Sequence, residues 1–160
     1  VEGDSASAAE LVALLSAIGG LLIKQSWAIT GSVNQNGEIQ AVGGVSEKVE
    51  GFFDLCAKRG LTGEHGVLIP RANVDHLMLR NDVLQAVEEK KFHIVAGDHI
   101  DDFLEILTSL TPGEPVASGV LHEGGFHYEV LSSLMGFAQT WTAWTHAAEP
   151  GSERKRKQAL

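Results

Sequence analysis

A short apolar run lies between two segments with helical periodicity, and this alternation limits the possible folds more than any other feature of the chain. The run Gly66-Val67-Leu68-Ile69-Pro70 is typical of a buried strand that a proline ends. Before it, the segment from Val45 to about Arg59 predicts a helix that Gly60 ends. One face of that helix carries apolar residues at three- and four-residue spacings: Val45, Val49, Phe52, Phe53 and Cys56. Helices alternating with strands indicate an α/β fold.

The same alternation continues from the start of the chain to Leu110. We expect further helices at Ser5 to about Leu22, Asp82–Lys90 and Asp102–Leu107, strands at Trp27–Gly31 and Phe92–Val95, a hairpin over Val33–Ile39, and a turn or short helix over Val74–Leu79. The hairpin rests on Asn36-Gly37, which is a favoured tight turn. The predicted architecture is therefore α/β (α+β), with mixed small sheets packed against helices.

The composition changes after Leu110, so we divide the chain into residues 1–110, an extension over 111–149 and a tail over 150–160. The extension carries apolar and aromatic residues at roughly helical spacing between Tyr128 and Trp144. This amphipathic helix must bury its aromatic side against its own domain or against another subunit. The tail is charged and is expected to be disordered.

Charge and composition exclude several classes of protein. The formal net charge is −9, whereas a general nucleic-acid binder needs a basic face. The longest apolar stretch, Leu11–Ile23, is too short to cross a bilayer, and we expect no membrane contact through this chain. The single cysteine, Cys56, fits a reducing compartment, so we expect a cytoplasmic protein. No signal peptide is visible, and the first residue, Val1, indicates a fragment of a longer chain.

The segment Gly3-Asp4-Ser5-Ala6-Ser7 places a serine between small residues before the first predicted helix. The first N–H groups of a helix lack internal partners, so an oxyanion formed beside Ser5 could be stabilised there. Lys48 is the candidate base, because a lysine amine that is kept dry can lose its proton. Valines and glycines flank Lys48 in the sequence and fit such a site. The simpler interpretation is that Ser5 or Asp4 caps the helix and that Lys48 is a surface charge.

Several blocks in order give residues 2 to about 107 a resemblance to the proteolytic domain of Lon proteases. They are Gly3-Asp4-Ser5-Ala6-Ser7, Thr30-Gly31-Ser32-Val33, Gly37-Glu38-Ile39-Gln40-Ala41-Val42-Gly43-Gly44-Val45, Glu47-Lys48, and Val67-Leu68-Ile69-Pro70 followed by Asn73. The form Glu2-Gly3-Asp4-Ser5 resembles the B-type, archaeal-like branch, because the other branch has proline at the position of Asp4. Residues 1–110 then correspond to a Lon-type proteolytic domain whose upstream part is missing.

The resemblance implies a serine endopeptidase with a Ser–Lys dyad. Ser5 matches the nucleophile, Lys48 the general base, and Thr30 a threonine that orients the lysine. Glu2 and Asp4 match acidic residues that flank the site and could form salt links to Lys48, and Gly3 and Glu47 belong to the same matching blocks. The family forms homo-oligomers, as hexameric rings, and degrades unfolded or misfolded polypeptides with an ATP-driven AAA+ module.

Cofactors are not expected in this chain. No Gly-x-x-x-x-Gly-Lys-Ser/Thr loop occurs, so ATP and Mg are expected only on a separate AAA+ module. The seven histidines show no metal-ligand spacing with cysteine, and we expect no metal site.

Two alternatives to a Ser–Lys peptidase stay open. A chain that lacks the upstream part of the domain could be a catalytically inactive, truncated assembly domain. A Ser–His hydrolase of small esters would need a histidine base, and Asp75-His76 and Asp98-His99 are the adjacent acid–histidine pairs.

Overall fold

The computed structural model describes residues 3–113 and 123–147, and within them helices surround two small sheets. The helices are α1 (Ser7–Gly19), α2 (Val45–Arg59), α3 (Asn81–Glu88), α4 (Asp101–Thr108) and α5 (Phe126–Ala147), with a 3₁₀ helix at Arg71–His76. The strands are β1 (Trp27–Ile29), β2 (Ser32–Val33), β3 (Ile39–Gln40), β4 (His65–Pro70) and β5 (Phe92–Gly97). The predicted α/β class is confirmed.

The central sheet has three parallel strands in the order β1-β4-β5. β4 lies in the middle and is buried on both faces, as its continuous apolar run predicts. Successive side chains of a strand point to opposite faces. Leu68 accordingly joins a core formed with α1, α4 and α5. Val67 and Ile69 join a second core formed with α2 and α3.

The predicted helix and strand bounds lie within about three residues of those in the structure, and α2 has the predicted bounds, Val45–Arg59. The predicted turn or short helix over Val74–Leu79 is the 3₁₀ helix at Arg71–His76. Helix α1 is shorter than predicted at both ends, since it begins at Ser7 and ends at Gly19. Its end is fixed by Gly20, whose φ of 64° is a left-handed conformation that suits glycine. Its start is displaced because the backbone of Ser5 pairs with another segment, as described below.

The predicted hairpin at Asn36-Gly37 is present and pairs β2 with β3 in antiparallel register. Asn34 Oδ1 accepts hydrogen bonds from the N–H groups of Asn36 and Glu38, at 2.9 and 3.1 Å. Gly37 has a φ of 84°, which a residue with a side chain adopts only with strain. The hairpin thus closes tightly and leaves β2 beside the first residues of the chain.

Helix α5 packs against the first core through its N-terminal end only. Phe126 and Val130 are buried there, and a side-chain carbon added at Gly19 would lie 3.2 Å from Val130 Cγ2. Glycine at the end of α1 therefore permits the close approach of α5. Beyond Val130 the aromatic side of the helix is exposed, so its own domain does not bury it. The predicted tail over 150–160 lies outside the described residues.

His127 ties the start of α5 to α4. Its Nε2 lies 2.8 Å from Asp101 Oδ1, and His99 Nδ1 lies 3.5 Å from the other carboxylate oxygen. The hydrogen bond from His127 holds the pKa of the Asp101 carboxyl below its usual range, despite the opposing effect of burial. Within the described residues, none of the helices combines the length and the apolar character that crossing a bilayer requires.

We expect Asp101→Asn to lower the free energy of unfolding by about 1 kcal/mol at about pH 5, because it weakens a hydrogen bond to a charged group. A depressed carboxyl pKa stabilises the fold above the unfolded value of about 3.9, and this stabilisation is lost as the pH falls through the folded value. Urea unfolding at about pH 5 and about pH 3 should show the difference between wild type and variant shrinking on acidification. Asp75→Asn, at an exposed carboxylate, is the matched control, and a difference that grows on acidification would contradict the assignment.

Candidate active site

The segment that carries Ser5 is held against the segment that follows β1. Gly31 N–H donates to Ser5 O at 3.0 Å, and Ala8 N–H donates back to Gly31 O at 3.2 Å. Two hydrogen bonds to side chains complete the contact, since Val33 N–H donates to Ser7 Oγ at 2.9 Å and Ser32 Oγ donates to Asp4 Oδ2 at 2.8 Å. These four hydrogen bonds fix Ser5 beside the carboxyl end of β1.

Ser5 does not cap α1. The N-cap of the helix is Ala6, and no side chain makes a capping hydrogen bond there. The N–H groups of Ser7 and Ala8 are occupied by Asp4 O and Gly31 O. Among the described residues, the N–H groups of Ser5 and Ala6 have no acceptor. Of the N–H groups expected to stabilise an oxyanion, only these two therefore remain available among the described residues. They belong to Ser5 itself and to the next residue.

Gly3 and Asp4, which precede Ser5 in the chain, have separate roles. Gly3 has a φ of 96°, a conformation that favours glycine, and it turns the chain into the Ser5 segment. Asp4 is exposed and its carboxylate accepts the hydrogen bond from Ser32. The structure thus places Asp4 on Ser32 instead of on Lys48. Glu2 lies outside the described residues.

Thr30 directly precedes the residue that pairs with Ser5. Its backbone N–H donates to Leu68 O at 3.0 Å, which continues the pairing of β1 with β4. Only 5% of the residue is exposed, and its Oγ1 has no hydrogen-bond partner within the described part of the chain. A buried hydroxyl without a partner costs free energy, so such groups are rare and call for an explanation.

Lys48 lies in the first turn of α2. This helix, like the Ser5 segment, begins at the carboxyl end of the strands of the central sheet. Gly44 precedes the helix with a φ of 68°, and Lys48 N–H donates to Gly44 O at 3.1 Å. The Asn73 side chain bonds both to Val42 N–H and to Val42 O, at 3.0 and 2.9 Å. Because Asn73 follows the carboxyl end of β4, this clamp fixes the start of α2 at that end of the sheet. Glu47 is exposed in the same turn, where its charge suits the helix dipole.

The surroundings of Lys48 differ from the expected dry site. Val45 and Val49 point into the second core, and Lys48 is exposed to solvent in the single chain. Neighbouring positions on a helix point in different directions, so apolar neighbours in sequence do not enclose the lysine. Across the described ranges, 3–113 and 123–147, no hydrogen bond joins Lys48 to Ser5 and no salt bridge includes Lys48.

Comparison with known proteins identifies the family. Residues 1–109 match the Lon protease (S16) C-terminal proteolytic domain. The chain belongs to the Lon protease family. The predicted resemblance is therefore confirmed, and it covers the whole fold except the extension that contains α5.

Curated relatives support the same assignment. A putative Lon protease homolog of Escherichia coli is 56% identical over 110 residues, which are 69% of this chain and 19% of that protein. The Haemophilus influenzae homolog is 45% identical over 107 residues, or 67% of this chain and 18% of the relative. An archaeal Lon protease of Archaeoglobus fulgidus is 37% identical over 105 residues, or 66% and 15%. The chain thus spans less than a fifth of the length of these relatives.

The histidine side chains that are hydrogen-bonded in the described residues contact groups other than Ser5. His93 bonds to Gly63 O, His99 to Asn36 O and His127 to Asp101. No histidine in the described residues is hydrogen-bonded to Ser5. The Ser–His alternative would favour such a bond. Nor do the described residues contain a group of three or more His, Cys, Asp or Glu side chains arranged to hold a metal ion.

The sequence patterns did not predict which side chains position the site. Ser32 and Ser7 join the Ser5 segment to the hairpin, and Asn73 fixes the start of α2. All three lie in blocks that match the Lon domain, which was the one available signal. Their roles depend on contacts between segments 26 to 31 residues apart, which no local pattern reveals.

We expect Thr30→Val to leave the free energy of unfolding unchanged or to raise it by about 1 kcal/mol, because it removes a buried hydroxyl that has no partner. Ser32→Ala is the contrasting variant, since it loses the bond to Asp4 and should lower that free energy by about 1 kcal/mol. Urea unfolding of both variants measures the difference. A loss of more than about 2 kcal/mol in Thr30→Val would mean that the hydroxyl has a stabilising partner in the fold.

Proposed function

We propose that this chain is the proteolytic part of a serine endopeptidase in which Ser5 is the nucleophile and Lys48 the general base. The observation that carries the proposal is the buried, unpartnered Oγ1 of Thr30, one residue from the Gly31 N–H that holds Ser5. A hydroxyl at that place can hydrogen-bond a lysine amine and aim its lone pair at a serine. Two observations support this function: the chain belongs to the Lon family, and α1 and α2 both begin at the carboxyl end of the strands of the central sheet.

The reaction is acyl transfer to Ser5. Neutral Lys48 accepts the proton of the Ser5 hydroxyl while the oxygen attacks a peptide carbonyl carbon. The N–H groups of Ser5 and Ala6 stabilise the oxyanion, and the protonated lysine returns its proton to the leaving amine as the C–N bond breaks. Water then hydrolyses the acyl-enzyme with Lys48 again as base. The histidines take no part.

Lys48 must be covered for this chemistry, because a lysine amine in open water stays protonated near neutral pH. A neighbouring subunit or the bound peptide supplies the cover. Activity therefore depends on assembly, as a homo-oligomer that by family resemblance is a hexamer. Asp4 stays on Ser32 in the active arrangement, which leaves Lys48 without a carboxylate that would hold its charge.

The substrates are unfolded polypeptides, which an AAA+ module of the full-length protein delivers. ATP and Mg bind to that module and not to this chain. The protein acts in the cytoplasm, and neither nucleic acid nor a membrane is a partner of this chain.

A fluorogenic peptide assay tests the dyad. We expect Ser5→Ala and Lys48→Ala each to remove nearly all turnover, about 1,000-fold or more, because the two groups act as a unit. Lys48→Arg should fail equally, since a guanidinium keeps its charge but cannot accept a proton. Lys58→Ala, at an exposed lysine of the same helix, is the control and should retain full activity.

A second candidate is a catalytically inactive assembly domain, and the exposure of Lys48 in the single chain favours it. This candidate predicts a folded, associating protein that cleaves no peptide in any assembly state. Cleavage that Lys48→Ala spares and that one His→Ala change removes would instead point to the Ser–His hydrolase. Either result would overturn the Ser–Lys assignment.

A further inference from the structure

Helix α5 leaves its domain beyond Val130, and its apolar stripe continues into solvent. Phe126 and Val130 are buried on the first core. The same face then carries four side chains that are 44%, 60%, 65% and 63% exposed: Leu134, Phe137, Trp141 and Trp144. Spacings of three and four residues keep all six on one side of the helix. The stripe is thus continuous, but the domain covers only its first third.

The exposed part of α5 also lacks the charges that a solvated helix normally carries. Between Val130 and Ala147 the sequence has no Asp, Glu, Lys or Arg. Surface helices usually place charged residues opposite the buried face. A helix without them, with two tryptophans whose ring centroids lie 5.5 Å apart in the open, indicates an interaction surface.

The area of the stripe agrees with pairing between two copies. With about 150–250 Å² for each fully exposed large side chain, the four exposed residues present roughly 500 Å² per copy. Two copies would together bury about 1,000 Å², which is the lower limit for a specific interface. The helix from residue 131 to 147 is about 25 Å long, so two such helices can lie side by side over that whole length.

We propose that the exposed stripe of α5 binds the same stripe of a second copy, with the two helices antiparallel. A two-fold axis between Phe137 and Trp141 then places Leu134 against Trp144 of the partner subunit, and Phe137 against the partner's Trp141. The surface lies beyond residue 109, where the match to the Lon domain ends.

The acidic excess of the chain outside residues 154–157 favours this orientation. Four of the twelve Lys and Arg residues lie at 154–157, so the rest of the chain has eight against 21 Asp and Glu. An antiparallel pair places the two domains at opposite ends of the paired helices. A parallel pair would bring the two acidic domains side by side, where like charges repel.

Sedimentation velocity of the full chain between about 1 and 100 μM tests the proposal. We expect reversible association, and we expect Trp141→Glu to weaken it by about 30-fold or more, as at a central aromatic hot spot. Met78→Glu is the matched control, because it adds the same charge at a methionine that is 81% exposed and lies outside α5. Equal association of wild type and Trp141→Glu, or a wild type that stays monomeric, would overturn the proposal.

Cysteine cross-linking tests the orientation. In a background with the buried Cys56 replaced by alanine, chains with Leu134→Cys should form a disulfide with chains that carry Trp144→Cys. Leu134→Cys alone should not cross-link with itself, and efficient self-cross-linking would show a parallel pair and contradict the antiparallel one.

Vesicles of phosphatidylcholine test whether a membrane takes the place of the second copy. Binding of monomeric wild type, lost in Trp141→Glu, would show that the stripe docks on lipid and would reject the pair. No binding is expected. None of these measurements involves Ser5 or Lys48, so an inactive peptidase would leave the result unaffected.

Discussion

The backbone pairing of Ser5 and Ala8 with Gly31 is the contact on which the site depends. A nucleophile needs a fixed position, yet Ser5 lies in a turn before the first helix, where a chain is ordinarily free to move. The hydrogen bonds that Gly31 makes with Ser5 and with Ala8 hold this turn in place beside the hairpin. Since they use main-chain atoms, the Ser5 hydroxyl stays free of a structural role.

Parallel strand topology brings the second half of the site to the same place. A crossover between parallel strands must return along the sheet, so α2 starts where β1 ends. Asn73 makes that start rigid through two bonds to Val42. Two helix starts on opposite faces of the sheet therefore meet near the carboxyl end of one edge strand, the usual location of sites in α/β folds.

Much of this fold could be predicted because its signals are local. The bounds of α2 follow from periodicity and from Gly60, and the hairpin follows from Asn36-Gly37. The start of α1 could not be predicted, because the backbone of Ser5 hydrogen-bonds to a residue 26 positions later instead of to the next turn of its own helix. The prediction of a dry Lys48 was wrong for the single chain because it treated neighbours in sequence as neighbours in space. The dyad itself stays a prediction.

Lys48 and the stripe of α5 are both exposed in the isolated chain, with different physical consequences. Lys48 is exposed to solvent at a place where the proposed mechanism needs a neutral amine, and the stripe of α5 is an apolar face in water where burial is favoured. Thr30 adds a buried hydroxyl that lacks its hydrogen bond. The apolar stripe and the unpartnered hydroxyl each cost free energy in the isolated chain, whereas the exposure of Lys48 costs none. The proposed assembly would cover the start of α2 and the stripe of α5 through two different contacts.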